Sequence, residues 1–159
     1  MEEGGEIKCT PVRRILIATD GSVAAERAVN CGIKTVGLKG AKVYAVYVID
    51  ITPYKSIIMD ESWENETYEK LSKNGLKATS YVEKIAKDAG MEAESVILKG
   101  NPAEEILNFA EKQEIDMIVV GSHGKSAIER FTIGSVSEKV VRNAKVPVLV
   151  VHSKGPWIV

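Results

Sequence analysis

Gly121, Gly124, Gly134 and Ser135 have the residue types and spacing of an anion cradle. Two residues separate the first pair of glycines and nine separate Gly124 from Gly134. The apolar run Met117-Ile-Val-Val-Gly121 leads into them, and Ser135, Val136 and Ser137 follow as the opening of a helix. Glycines after a strand let backbone N–H groups approach a ligand with no Cβ in the way. A helix N-terminus adds unpaired N–H groups and the positive end of a dipole. Together they suit a phosphate. The competing reading is a plain strand-to-loop turn. A P-loop is excluded, because it needs a glycine where this chain has Val119, and G-x-G-x-x-G occurs nowhere.

Other side chains near this run have two readings each. Asp20 follows the strand Arg14–Thr19 and is either a ligand contact, to a ribose hydroxyl or to Mg²⁺, or an acid at a helix start. Thr19 reads as a pocket wall. Ser135 and Ser137 are hydroxyl donors to phosphate, and Ser135 is equally an N-cap. Ser122 is a phosphate or ribose donor or a turn residue. Lys125 is a point cation for phosphate or a solvated loop lysine, and Arg130 is a weaker candidate for the same role. His123 reads first as a loop histidine, since His152 is the only other histidine and the pair has no metal-ligand spacing. No serine has a recognisable catalytic triad around it.

The elements that must position these residues alternate. Arg14–Thr19 reads as a buried strand, broken by Asp20-Gly21-Ser22, with Ser22 as N-cap of a helix whose stripe is Ala25, Ala28, Val29, Gly32, Ile33 and Val36. Gly37 and Gly40 stop it. Ala41–Ile49 is apolar almost throughout, as a strand covered on both faces should be. Residues 50–65 show no period and read as a loop whose Ile57, Ile58, Met59 and Trp63 either close over a ligand or pack on a second subunit. Leu71 to Ala89 marks a long helix ended by Gly90, and Glu92–Lys99 a third strand. Asn101, Pro102 and Glu104 start a third helix as N-cap, first-turn proline and capping-box acid. Asp116–Val120 is the fourth strand, Val136 to Ala144 the fourth helix and Val146–Val151 the last strand.

This order predicts an α/β fold, one open parallel sheet with helices on both faces. Ligands on such sheets bind beyond the strand C-termini, where strand order reverses. If the first and fourth strands are neighbours, one crevice holds Asp20 and the glycines together.

Composition narrows the function. The 159 residues suit a single domain, with 45% apolar and 27% charged residues. The 21 basic and 22 acidic residues nearly cancel, so nucleic-acid and membrane-surface partners are not expected. Cys9 and Cys31 make no disulfide framework; Cys31 reads as a buried, inert thiol on the first helix. The acidic start lacks the order of a signal peptide, and the expectation is a cytoplasmic protein. Residues 1–11 read as an arm, 12–152 as the domain and 153–159 as a tail.

The pattern Gly121-x2-Gly124-x9-Gly134-Ser135 resembles the nucleotide signature of the universal stress protein family, in its ATP-binding branch. Ile15-Leu-Ile-Ala-Thr-Asp20-Gly-Ser22, Val46-Tyr-Val-Ile-Asp50, Gly100-Asn-Pro102 and Val146–Val151 resemble other family segments, so the likeness spans about residues 12–152. It implies an adenine nucleotide alpha hydrolase-like sheet of order 3-2-1-4-5 and a homodimer through the last strand. It implies that Ala18, Thr19 and Asp20 line the adenosine side and that Val48 backbone groups bond the adenine edge. Gly121, Ser122, His123, Gly124 and Lys125 would wrap the ribose and α-phosphate; Gly134, Ser135, Val136 and Ser137 would hold the outer phosphates. The expected function is a nucleotide-responsive binding module in stress response, taking ATP, or AMP or ADP, with Mg²⁺, and read by an unidentified protein partner. The alternatives are a slow ATPase or self-phosphorylating enzyme in the same pocket, and a scaffold that binds no nucleotide.

Overall fold

The computed structural model describes residues 11–36, 40–57, 59–122 and 133–152. Five parallel strands lie in the order β3-β2-β1-β4-β5, with β1 Arg14–Ala18, β2 Lys42–Ile49, β3 Glu92–Lys99, β4 Met117–Gly121 and β5 Val148–Val151. The expected sheet is therefore the one observed. β1 sits at the centre, pairing Ile15 with Val43 on one side and with Met117 on the other.

Strand periodicity divides the core in two. Ile15, Ile17, Val43 and Val119 face helices α1 (Val23–Val36) and α2 (Glu61–Asp88), where Val29, Ile33 and Val82 meet them. Leu16, Val46, Ile118 and Val120 face α3 (Pro102–Lys112) and α4 (Ser135–Asn143), against Ile106, Ala110 and Val140. Side chains of successive strand residues point to opposite faces, so one apolar run feeds both cores. Each fully buried Leu or Ile contributes about 1.5–3 kcal/mol relative to exposure. Gly32 lets α1 approach β4 closely, since a Cβ there would stand 2.9 Å from Val119 Cγ1.

Local sequence sets the helix starts. Ser22 Oγ accepts the Ala25 N–H at 3.1 Å, and Asn101 Oδ1 accepts the Glu104 N–H at 3.2 Å with Pro102 opening α3. Both N-caps satisfy amides that no helix carbonyl can reach. Three expectations need correction. Residues 50–65 are not all loop: Thr52–Tyr54 is a 3-10 turn, and α2 begins at Glu61, where Asp60 Oδ1 accepts the Trp63 N–H at 3.0 Å. The last strand begins at Val148 rather than Val146. Cys31 is half-buried, its Sγ 4.0 Å from Thr35 Oγ1. Ile57, Met59 and Trp63 are exposed, and Cys9, Ile58 and the tail lie outside the described residues. Among the described residues no helix is long and apolar enough to cross a membrane.

Candidate functional site

Strand order reverses between β1 and β4, which pair directly. At their C-terminal ends lies a cavity of about 360 Å³, within the range of small-ligand sites. Ala18, Thr19 and Asp20 line it from the end of β1, Val46 to Val48 and Asp50 from β2, and Val120 and Gly121 from β4. Gly134, Ser135, Val136 and Ser137 close the side formed by α4. The crevice thus brings together Asp20 and the second half of the glycine pattern. His123, Gly124 and Lys125, with Arg130, lie outside the described residues.

The backbone at the end of β1 is turned away from the sheet. Thr19 N–H donates to Val46 O at 3.0 Å, the last rung between β1 and β2. Thr19 Oγ1 then accepts the Gly21 N–H at 3.2 Å, and Gly21 has φ +75°, a conformation that favours glycine. Asp20 Oδ1 accepts the Ser22 N–H at 2.9 Å, so the carboxylate both lines the cavity and shapes the turn into α1. The two readings of Asp20 are compatible.

That turn leaves β2 with a polar edge. In a strand, a residue's N–H and C=O point to the same side, and residues two apart share that side. Lys42 N–H bonds Arg13 O and Val46 O receives Thr19 N–H, so even-numbered β2 residues face β1. Ile49 O receives Gly100 N–H, so odd-numbered ones face β3. Val48 therefore directs its N–H and C=O toward β1 at a level where β1 has already left the sheet. A donor and an acceptor side by side at a cavity wall suit a planar heterocycle with the complementary pair.

The opposite wall is the start of α4. Its first intrahelical backbone bond runs from Glu138 N–H to Gly134 O at 2.9 Å. The amides of Ser135, Val136 and Ser137 have no carbonyl of their own helix to reach. Gly134 is the N-cap, with extended backbone, and Ser135 is the first helical residue; the N-cap expected at Ser135 is one position earlier. Two contacts fix this helix end to β4. Gly134 N–H donates to Ser122 O at 2.7 Å, and Ser137 Oγ donates to Gly121 O at 2.7 Å. The Ser137 hydroxyl proton is thereby used inside the protein, while its amide belongs to the helix opening. Ser122 is buried beneath the cavity rather than among its lining residues, with its N–H on Val151 O at 2.9 Å.

The lining also includes residues that the sequence patterns do not single out as a site: Asp50, Pro53, Tyr54, Leu71, Pro102 and Ile106. Asp50 Oδ1 accepts the Thr52 N–H at 2.9 Å and folds the 3-10 turn over the cavity rim. The signal for that turn is present as Asp50-Ile-Thr-Pro53, an Asx turn running into proline. Among the described residues the cavity is lined by two carboxylates, Asp20 and Asp50, and by no lysine or arginine. No group of three or more His, Cys, Asp or Glu converges as metal ligands among the described residues.

These features define a parallel α/β protein with a crevice of small-ligand size at its topological switch point. The chain belongs to the universal stress protein family, whose model matches residues 11–152. It is 41% identical over 139 residues to universal stress protein MJ0531 of Methanocaldococcus jannaschii, covering 87% of this chain and 81% of that protein. MJ0577 of the same organism is 33% identical over 156 residues, 90% of this chain and 96% of that one. The solved structure of MJ0577 has a TM-score of 0.79 at 36% identity, covering 91% of this chain and 98% of its own. A universal stress protein from Archaeoglobus fulgidus, solved in complex with dAMP, shares the fold with a TM-score of 0.59 at 24% identity, over 87% of this chain and 96% of that one.

Proposed function

We propose that this chain is an adenine-nucleotide-binding module, taking ATP, AMP or ADP in the crevice. One observation carries the reading: a single cavity has the Val48 donor–acceptor pair on one wall and three helix-opening amides on the other. Adenine offers N1 as acceptor and its exocyclic amine as donor on one edge, the complement of that pair. Phosphate oxygens suit the amides of Ser135, Val136 and Ser137 and the dipole behind them. Ala18, Thr19 and Asp20 would flank the nucleoside between the two. His123, Gly124 and Lys125 would complete the phosphate loop, by resemblance to the family signature, and the buried Ser122 would anchor it through its carbonyl, which accepts the Gly134 N–H. Asp20 is the carboxylate assigned to Mg²⁺ arriving with the phosphates. The dAMP found in the Archaeoglobus protein belongs to the same ligand class.

In this reading nucleotide occupancy changes a surface that a protein partner reads in the cytoplasm during stress. A homodimer through β5 fits its position at the sheet edge, where among the described residues one side of its backbone has no strand to pair with. Sedimentation giving only monomer at micromolar concentration would remove that assembly.

The test is calorimetric titration of nucleotide-free protein with ATP, with and without Mg²⁺, while phosphate release is followed in parallel. Saturable heat without release is the expected result. Saturable heat with steady release replaces the binding module by a slow ATPase, and Asp20→Ala then becomes the first variant to make. Absence of heat, together with no competition against a fluorescent ATP analogue, rejects the nucleotide reading.

A further inference from the structure

The geometry points to Tyr54 as the side chain that stacks on the nucleobase and supplies affinity without choosing the base. This rests on the nucleotide reading above. Among the described residues two aromatic rings line the cavity, Tyr47 and Tyr54. Tyr47 is 4% exposed and committed to the core, with its Cδ1 only 2.7 Å from where a Cβ on Gly75 would stand. Tyr54 is 37% exposed as a residue and is not committed to the buried core, so it is the aromatic lining residue that a ligand can still cover.

The ring stands on a firmly built support. Pro53 fixes one backbone angle of the 3-10 turn. Thr52 N–H bonds Asp50 Oδ1 at 2.9 Å, Tyr54 N–H bonds Ile51 O at 2.9 Å, and Ile57 N–H bonds Tyr54 O at 3.0 Å. A ring presented on an ordered turn loses little conformational freedom when a ligand arrives. Pro53 and Leu71 give the same part of the cavity an apolar lining. A base whose edge meets Val48, on the strand that leads into this turn, therefore has an aromatic plane available to one of its faces.

Stacking and edge recognition contribute differently. Every base has a π-face, so stacking is tolerant of base identity. Val48 reads the edge and selects adenine; Tyr54 adds affinity to whatever base enters. Replacing Tyr54 should weaken ATP and GTP by the same factor and leave their ratio unchanged.

The experiment measures ATP, GTP and inorganic tripolyphosphate binding to the full chain and to Tyr54→Ala and Tyr54→Phe, by competition against a fluorescent ATP analogue. Tyr54→Ala is expected to weaken ATP roughly five- to 150-fold, the range for one stacked base. GTP should fall by the same factor, with tripolyphosphate unchanged and Tyr54→Phe within about twofold of the parent, because the face is retained. Equal ATP affinity in Tyr54→Ala overturns the stacking role. So does a parallel loss of tripolyphosphate, which would make the ring a structural support for the whole crevice. A Tyr54→Phe variant as weak as Tyr54→Ala would shift the role to the hydroxyl and overturn stacking. Failure of the unsubstituted chain to bind ATP is a separate result, which rejects the nucleotide reading itself and the stacking role with it.

Discussion

Val48→Pro should reduce ATP affinity about five- to 150-fold while tripolyphosphate binding stays near that of the parent. Proline deletes the backbone N–H, and it also fixes φ at about −65° and restricts Tyr47 before it, so tripolyphosphate binding and the melting temperature serve as the controls for an intact crevice. In most of a central strand that deletion would break a ladder bond. Val48 differs because its N–H faces β1 beyond the last rung, Thr19 N–H to Val46 O. The donor removed is thus the one assigned to the adenine ring. Leaving the matching ring nitrogen buried without a partner costs about 1–3 kcal/mol, which sets the expected range. Val48→Ala separates backbone from side chain, since it keeps the N–H and trims only a half-buried side chain. It should retain the preference for ATP over GTP that Val48→Pro loses. Equal nucleotide affinities in the proline variant and the parent would mean that the base does not lie against β2.

Much of this arrangement is legible in the amino-acid sequence, for identifiable reasons. Val and Ile runs separated by amphipathic stripes announce a parallel sheet with two covered faces, and Ile15, Leu16 and Ile17 do divide between them. Asn101-Pro102 and Asp20-Gly21-Ser22 carry their caps and turns in local residue types. Asp20 and Gly121 come together because topology demands it once β1 and β4 are adjacent. Residues 61–70 are harder. They are helical, yet none of them is buried, so no apolar stripe marks them. Only the Asp60 cap and the acids Glu61 and Glu64 in the first turn signal the helix. Tyr54 is hidden for a related reason. A three-residue 3-10 turn has no period, and its place at the cavity rim depends on how β2 hands the chain to α2. Gly134 takes the cap from Ser135 because its extended backbone lets its N–H reach Ser122 O, a contact across twelve residues of sequence.

Gly75→Val should destabilise the protein by about 3 kcal/mol, the upper part of the usual range for overpacking a core. Gly75 lies midway along α2 and looks like a helix weakness, since glycine costs about 1 kcal/mol relative to alanine in a helix interior. Its neighbours explain its presence. An added Cβ would meet Tyr47 Cδ1 at 2.7 Å and Ile97 Cδ1 at 3.0 Å, both on strands beneath the helix. Neither is the loose end of a surface side chain: Tyr47 is buried, and Ile97 packs on the same small core as Tyr47, Ile49 and Leu71. Valine adds two methyl groups beyond that Cβ and gains back only a few tenths of a kcal/mol in propensity. Either α2 lifts from the sheet or the Tyr47 ring turns into the crevice. For a chain of this size the loss corresponds to roughly 6–12 °C in melting temperature. The same variant should bind ATP more weakly at temperatures where it remains folded, because Tyr47 and Leu71 both line the cavity. Gly75→Ala meets the same ring with a single methyl and recovers about 1 kcal/mol of propensity, so its melting temperature should fall between those of Gly75→Val and the parent. A melting temperature unchanged in Gly75→Val would show that α2 does not press on β2 at this point, and would detach the cavity wall from the helix that supports it.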